Sequence, residues 1–312
     1  MTLCPNCMEW VDKFESPRNS SGNQRRDGIK RICPKCREWA PERYIRGCEH
    51  FSLEVIGMLG FRGHGKTVYI YSLLFQLDRI GSKWTDFSFT PLDELGIDLV
   101  KEMRKKLESG DLPDSSPKMF MKPILLRLEG IPQMGSCQML ICDTSGESIE
   151  RVADQKQFCS YISQRANLLF IVSLKDLERP SQMADFLASY AQATIELNHH
   201  PKEQNLIVVL TKADKYVDDP TMPEEVREFL REKSDGSDTI SQLKKLSSCI
   251  EKWLSEQKPF INFVRRARVE FKSVHYCVVS ALGSEPEGQK MKVAVSPRGV
   301  LGPILLAMDI RR

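Results

Sequence analysis

The feature that most constrains this chain is residues 60–67, which read GFRGHGKT. They fit the pattern G-x-x-x-x-G-K-[ST], in which glycines let backbone N–H groups turn inward around phosphate oxygens. An apolar strand pattern, LEVIGML, precedes the segment, and an apolar-faced helix pattern, KTVYIYSLLFQL, follows it. A strand, a glycine-rich turn and a helix in this order predict a phosphate-binding loop.

Within this loop, Lys66 is expected to supply charge to the β- and γ-phosphates, and the Thr67 hydroxyl to ligate Mg²⁺. Backbone amides at the start of the helix would complete the phosphate site. The residues predicted to bind the phosphates are Gly60, Gly63, His64, Gly65, Lys66, Thr67 and Val68.

Strand and helix patterns alternate beyond residue 51. Strand-length apolar runs recur at residues 53–59, 124–128, 139–142, 168–172, 206–210 and 274–279. Helical patterns occupy residues 66–80, 92–109, 181–197, 223–232, 241–257 and 303–310. This alternation predicts an α/β fold of the P-loop type, a three-layer structure whose mainly parallel sheet carries helices on both faces.

The helix predicted at residues 92–109 has its own local signals. Thr90 is the expected N-cap and Pro91 the expected first-turn residue. An apolar stripe should face the core through Leu92, Leu95, Leu99, Met103 and Leu107.

Two cysteine pairs occupy the first 50 residues, where apolar periodicity is almost absent. Cys4 and Cys7 form one C-x-x-C turn, and Cys33 and Cys36 form another. Two such turns complete a tetrahedral, structural Zn²⁺ site with bonds of about 2.3 Å. A redox C-x-x-C would need a thioredoxin-like unit around it, and Cys48 and His50 are alternative ligands that the pattern leaves open.

These patterns predict a zinc-ribbon module at residues 1–50 and a P-loop domain at residues 51–312, with a helical insertion around residues 82–122. The net charge of the 312-residue chain is +3. Residues 1–50 hold ten basic and seven acidic residues, an excess that one zinc bound by four thiolates would nearly cancel. Bulk charge therefore gives no reason to expect nucleic acid, although the ribbon is left open to protein or nucleic acid.

The expected compartment is the cytoplasm. The sequence has no apolar stretch of the roughly 18–20 residues that a membrane span needs and no secretion-signal pattern at its start. Its ten cysteines, without such a signal, indicate a reducing environment.

Three later segments each place polar residues after a predicted strand. D-x-x-G at residues 143–146 offers Asp143 to Mg²⁺ and the Gly146 N–H to a γ-phosphate. T-K-x-D at residues 211–214 comprises Thr211, Lys212 and Asp214, and its carboxylate can accept both N1–H and the exocyclic N–H₂ of guanine. The small turn at residues 280–282 can reach the guanine O6 through the backbone of Ser280, Ala281 and Leu282. Ligands bind at this edge of open α/β sheets, so the four motifs together favour guanine nucleotide.

In these motifs, over residues 51 to about 310, the sequence resembles the Ras-like and translation-factor class of P-loop GTPases. Within that class it is most similar to the bacterial double-GTPase type 2 domains. The narrower resemblance rests on the cysteine-rich front, the D-T-S-G-E string at residues 143–147 and the S-P-R-G-V string at residues 296–300. It implies GTP, GDP and Mg²⁺ as ligands. It also implies a protein partner, a second GTPase or an effector, in a conflict or defence system.

Four departures from the class bear on hydrolysis. Thr211 replaces an asparagine whose amide would brace the phosphate loop, and Glu147 replaces the glutamine that orients the attacking water. Arg62 occupies a loop position usually kept as glycine, where it would obstruct the switch or act as a finger in cis. The first-switch threonine has no clear counterpart. Ser115 or Ser116 are the preferred Mg²⁺ ligands, ahead of Thr85 and Thr90.

The sequence thus predicts a Mg²⁺-dependent GTPase switch, with Lys66, Glu147 and Arg62 as the catalytic residues. A GTP-binding interaction module with negligible hydrolysis is the alternative that Glu147 and Arg62 favour. A P-loop ATPase or kinase is a third hypothesis, which requires ATP to bind as well as GTP.

Overall fold

A seven-stranded sheet forms the centre of the protein, with strand order β11-β10-β9-β5-β8-β7-β6. The computed structural model describes residues 1–16, 30–113, 122–143, 167–232 and 238–310. The sheet strands are β5 (Ser52–Gly60), β6 (Ser88–Pro91), β7 (Ile124–Ile131), β8 (Gly135–Asp143), β9 (Asn167–Val172), β10 (Asn205–Leu210) and β11 (Ser273–Val278). The strands from β11 to β8 pair in parallel, whereas β7 and β6 add antiparallel pairs at one edge.

The helices cover both faces of the sheet. They are α1 (Glu42–Gly47), α2 (Lys66–Arg79), α3 (Glu94–Glu108), α4 (Gln182–Glu196), α5 (Glu224–Arg231), α6 (Ile240–Glu256), α7 (Ile261–Glu270) and α8 (Gly302–Ile310). Alternate residues of the central strands point into two separate cores. In the first core Ile207 and Val209 pack with α2, α3 and α8, and in the second core Val208 packs with α4 to α7. The predicted α/β class with a mainly parallel sheet and helices on both faces is confirmed.

The predicted start of α3 is wrong. Thr90 and Pro91 do not begin the helix but lie in β6, opposite Arg127 and Leu126 of β7. The helix begins at Glu94, and its N-cap is Asp93, whose carboxylate accepts from the Gly96 N–H at 2.8 Å. Pairing with β7 keeps Thr90 and Pro91 in an extended strand, so they cannot begin the helix. Pro91 is tolerated there because β6 is an edge strand.

The apolar stripe of α3 also differs in part from the prediction. Met103 and Leu107 are buried as expected, and Val100 is buried with them, but Leu95 is 42% exposed. None of the described helices is both long and apolar enough to cross a membrane.

Two small antiparallel hairpins carry the paired cysteines. β1 (Thr2–Leu3) pairs with β2 (Trp10–Val11), and β3 (Lys30–Ile32) pairs with β4 (Trp39–Pro41). Their core is small, consisting of Val11, Phe14 and Ala40 around the buried sulfurs of Cys4 and Cys33. So little apolar surface cannot offset the entropy of ordering the segment, and a further stabilising interaction is needed.

Helix α1 attaches this segment to the sheet. Tyr44 is fully buried in the second core, and its hydroxyl donates to the Leu3 carbonyl at 2.8 Å. Gln138 of β8 donates from Nε2 to the Tyr44 carbonyl at 3.0 Å. Leu3 and Met8 join the same core, so the cysteine-bearing segment packs directly against the α/β part.

Candidate functional site

The phosphate-loop motif lies between β5 and α2, as its flanking patterns predict. Gly60 has φ +152°, and a Cβ there would stand 2.1 Å from the Ile171 carbonyl oxygen of β9, so only glycine fits. Gly65 is the N-cap of α2 at φ 91° and ψ 18°, a left-handed conformation that also favours glycine. Lys66 begins the helix, and its Nζ donates to the carbonyls of Gly60 and Phe61 at 2.8 and 3.0 Å.

Phe61 anchors the loop to the second core. Its ring meets those of Phe170 and Phe186 edge-on, with centroids 5.8 and 5.2 Å apart. The neighbouring Arg62 is exposed, so its side chain lies on the outer surface of the loop. The apolar anchor fixes one side of the loop while the backbone at Gly63 stays accessible.

His64 is a buried part of the loop, only 5% exposed. Its Nδ1 accepts from the Ser173 N–H at 3.0 Å, at the end of β9. Burial disfavours the imidazolium and lowers the pKa of His64 to about 4. The ring is therefore neutral near pH 7, which leaves Nδ1 able to accept this hydrogen bond.

Thr211 joins the phosphate loop to the T-K-x-D motif. It is 2% exposed, and its hydroxyl donates to the His64 carbonyl at 2.6 Å. The amide that an asparagine would supply is absent, as the sequence implies, but the hydroxyl in its place holds the loop.

Lys212 lies across the edge of the phosphate loop. Its backbone is left-handed, with φ 54° and ψ 38°. Its Nζ donates to the Gly63 carbonyl at 3.0 Å and pairs with Asp176 at 2.8 Å. Burial raises the pKa of Asp176, but hydrogen bonds from Lys212 and Ser173 outweigh it and lower the pKa overall. The carboxylate thus keeps its charge and holds Lys212 in place.

Asp214 and the S-A-L turn come together on the far side of the loop. The Ser280 hydroxyl donates to Asp214 Oδ1 at 2.6 Å, although the two residues are 66 positions apart. Ser72 of α2 donates to the Ala281 carbonyl at 2.6 Å, which fixes the turn against the helix that carries the phosphate loop. These contacts orient the carboxylate and the turn backbone relative to each other.

A cavity of about 250 Å³ lies between these groups. The predicted residues that line it are Gly63, Gly65, Val68, Thr211, Lys212, Asp214, Ala281 and Leu282. Five further residues line it that the motifs do not contain: Leu112, Lys215, Ser284, Glu285 and Pro286. Lys215 directly follows the T-K-x-D motif, and residues 284–286 follow the 280–282 turn after Gly283, so extending each motif by a few residues would have found these four. Leu112 has no such signal.

The strand ends explain why the motifs converge. Gly60 pairs with Ile171, Leu210 pairs with both Val172 and Val278, and Met58 pairs with Asp143. Parallel pairing in this register puts the motifs at one edge of the sheet. Asp143 is 7% exposed at the end of β8, on the strand next to β5. Thr67 is half-buried in the first turn of α2.

Four predicted site residues lie outside the described residues. They are the Mg²⁺ candidates Ser115 and Ser116, the γ-phosphate contact Gly146 and the catalytic candidate Glu147. A polar groove of about 750 Å³ is larger than the cavity, but it lies beside α1 and the hairpins and contains none of the nucleotide motifs. The smaller cavity is the better candidate because the motifs meet there.

The four predicted zinc ligands also come together. The sulfurs of Cys4, Cys7, Cys33 and Cys36 all lie within 4.8 Å of one another. The Cys4–Cys36 and Cys7–Cys33 sulfur distances are 3.8 and 3.9 Å. Bonds of about 2.3 Å in a tetrahedral site place sulfurs about 3.8 Å apart, so the four thiolates fit a structural Zn²⁺. Among the described residues, neither Cys48 nor His50 belongs to this cluster.

Thr211 offers a first test of the site. Replacing it with valine keeps the shape but removes the hydroxyl that braces His64, so we expect GDP to dissociate roughly tenfold faster, a loss of about 1.4 kcal/mol. Thr211→Ser keeps the hydroxyl and is the matched control, which should dissociate at nearly the wild-type rate. Stopped-flow displacement of a fluorescent GDP analogue measures the rate. Equal rates in the valine and serine variants would contradict the brace.

Comparison with known proteins identifies the family. The family model described as Double-GTPase 2 matches residues 54–249, which is more than half of the chain. Among solved structures the chain is similar to a bacterial selenocysteine-specific elongation factor, at 14% identity and a TM-score of 0.34, over 83% of this chain and 28% of that chain. This chain thus spans less than a third of that factor's length. No protein with a curated description matches it. The chain belongs to the double-GTPase 2 family and is a GTP-binding protein.

Proposed function

We propose that this protein is a Mg²⁺-dependent GTPase switch that hydrolyses GTP to GDP and phosphate. One observation carries the proposal: the phosphate-loop glycines Gly63 and Gly65 line the same cavity as Lys212 and Asp214. Backbone amides and Lys66 suit phosphates, whereas a carboxylate oriented by Ser280 suits the paired N–H donors of guanine. Adenine does not offer those two donors together, so the arrangement favours GTP over ATP.

Specific residues would hold the nucleotide and its metal. Lys66 would contact the β- and γ-phosphates, and Thr67 and Asp143 would hold Mg²⁺, which neutralises charge that develops on the phosphates. The start of α2 adds backbone N–H groups and a positive dipole end. In this proposal Ser115 or Ser116 completes the metal site, Gly146 meets the γ-phosphate, and Arg62 and Glu147 act on the hydrolysis step.

The same proposal assigns a role to each part of the chain. Residues 1–50 form a zinc-stabilised module and residues 51–312 the nucleotide-binding domain, in which residues 82–122 are an insertion. The two tryptophans of the hairpins, Trp10 and Trp39, are 51% and 46% exposed. Together with the family assignment, these exposed aromatic side chains support binding to a protein partner. In this proposal the partner is a second GTPase or an effector, and the two proteins act together in defence.

A second function, GTP binding with negligible hydrolysis, is favoured by one specific observation. Arg62 is exposed on the phosphate loop, so burial does not hold its guanidinium in the nucleotide site. Glu147 would place a carboxylate near the γ-phosphate, where like charges repel. An arginine that is not held in the site and a carboxylate that repels the γ-phosphate would both lower the rate of GTP hydrolysis without preventing GTP binding.

Single-turnover hydrolysis of GTP separates the two functions. Wild-type protein loaded with GTP and Mg²⁺ should produce GDP, slowly alone and faster with a genuine partner, whereas Lys66→Ala should fail to retain the nucleotide. Lys83→Ala is the matched control, because Lys83 lies beyond α2 and outside the cavity. Retained GTP without cleavage, with or without partner, would favour the binding module. Equal retention of ATP would overturn both.

A further inference from the structure

Leu112 lines the nucleotide cavity although no nucleotide motif contains it. It follows α3 and reaches the cavity that the phosphate loop and Leu282 also line. Its side chain is partly buried and packs against the first core. An apolar side chain at this wall suits the sugar or the base of a nucleotide rather than its phosphates.

Leu112 is held there by residues far along the chain. Its N–H donates to the Gln289 carbonyl at 3.0 Å, and the Met291 N–H donates to the Gly110 carbonyl at 2.7 Å. Between these bonds Asp111 and Lys290 form an antiparallel bridge, and their side chains pair at 3.8 Å. We call this pairing of residues 110–112 with residues 287–291 the clasp.

The second strand of the clasp is continuous with the cavity wall. Ser284, Glu285 and Pro286 line the cavity directly before residue 287. The turn closes through two backbone hydrogen bonds between Glu287 and Lys290, at 2.8 and 3.2 Å. Glu285 also pairs with Lys215 at 2.9 Å, next to Asp214. Both strands of the clasp therefore lead into walls of one cavity.

We propose that Leu112 is a nucleotide-contacting residue and that the clasp sets the rate at which guanine nucleotide leaves the cavity. The inference rests on the proposed function in one respect, namely that the cavity takes the guanosine. Opening the clasp withdraws Leu112 from one wall and loosens residues 284–286 at another. The bound nucleotide then loses apolar contact and becomes accessible to water, so it dissociates faster.

Leu112→Ala tests the contact. We expect GDP to dissociate about tenfold faster, measured by stopped-flow displacement of a fluorescent GDP analogue. Leu99→Ala is the matched control, because Leu99 is likewise a partly buried leucine packed against the first core but does not line the cavity. Urea unfolding of both variants measures the stability that each truncation removes. The control should lose stability without a change in the dissociation rate.

Charge reversal tests the clasp without touching the cavity lining. Asp111→Lys and Lys290→Glu each put like charges opposite each other, and each should speed GDP release about threefold. The double variant restores opposite charges and should bring the rate back toward wild type. Asp111 also accepts a hydrogen bond from the Ser109 hydroxyl at 2.8 Å, and a lysine at this position cannot accept it. The double variant should therefore restore the effect of the ion pair but not that of the Ser109 hydrogen bond.

The possible results are distinguishable. Wild-type protein that binds no GDP would remove the proposed function, and with it this inference. Tight GDP binding with equal release rates in wild type, Leu112→Ala and Leu99→Ala would overturn the contact alone. Equal acceleration in both leucine variants would mean a loss of stability and would also overturn it. Charge-reversed singles that release GDP at the wild-type rate would overturn the role of the clasp.

Discussion

Asp214→Asn is expected to lower the affinity for GDP by about two to three orders of magnitude. The carboxylate, oriented by Ser280 at 2.6 Å, would accept two N–H groups of guanine in charge-assisted hydrogen bonds. An asparagine presents one acceptor and one donor, so a donor faces a donor and a buried polar group loses its partner. Sites built to hydrogen-bond a substrate can discriminate by roughly 10⁴–10⁵-fold. The loss expected here is smaller because the asparagine keeps one of the two acceptors. Equilibrium titration with GDP and ADP measures the change.

The same variant should bind a xanthine nucleotide better than wild type does. Xanthine offers an N–H beside a carbonyl oxygen, which matches the acceptor and donor of an asparagine amide. Asp218→Asn removes the same charge from an exposed residue that does not line the cavity, and it is the matched control. If Asp214→Asn binds GDP as tightly as the control does, Asp214 does not read the base.

Removal of the zinc site should have the largest effect on folding. Cys33→Ser leaves three thiolates, and the apparent free energy of binding at a structural zinc site is about 10–16 kcal/mol. The small core around Val11, Phe14 and Ala40 cannot replace it. We expect the hairpins to unfold, which limited proteolysis would report as early cleavage within residues 1–41, with loss of bound zinc in metal analysis.

This unfolding should also destabilise the α/β part. Leu3 and Met8 come from the hairpin segment but are buried in the second core, so their release exposes apolar surface there. Cys249→Ser is the control, since Cys249 is a partly buried cysteine of α6 outside the cluster. Wild-type protein that holds no zinc, or a Cys33→Ser variant that resists protease as well as the control does, would contradict the prediction.

Local patterns were enough to predict the α/β class. Strands β9 and β10 are buried along their whole length, so each reads as a continuous apolar run. Strand β6 has no such signal, because its four residues, SFTP, are partly buried or exposed and form no apolar run. Its existence depends on pairing with β7, which lies more than 30 residues further along the chain. A pattern within a short window cannot contain that contact.

The family, the phosphate-loop motif and the set of four cysteines can all be predicted from the sequence. Each depends on residue types at fixed spacing beside a strand or turn, and spacing is visible in a single chain. The hydrogen bond from the Thr211 hydroxyl to His64 and the contact between the 287–291 turn and Leu112 are seen only in the folded chain. These contacts join residues 147 and 177 positions apart in the sequence, and the sheet and its loops bring them together.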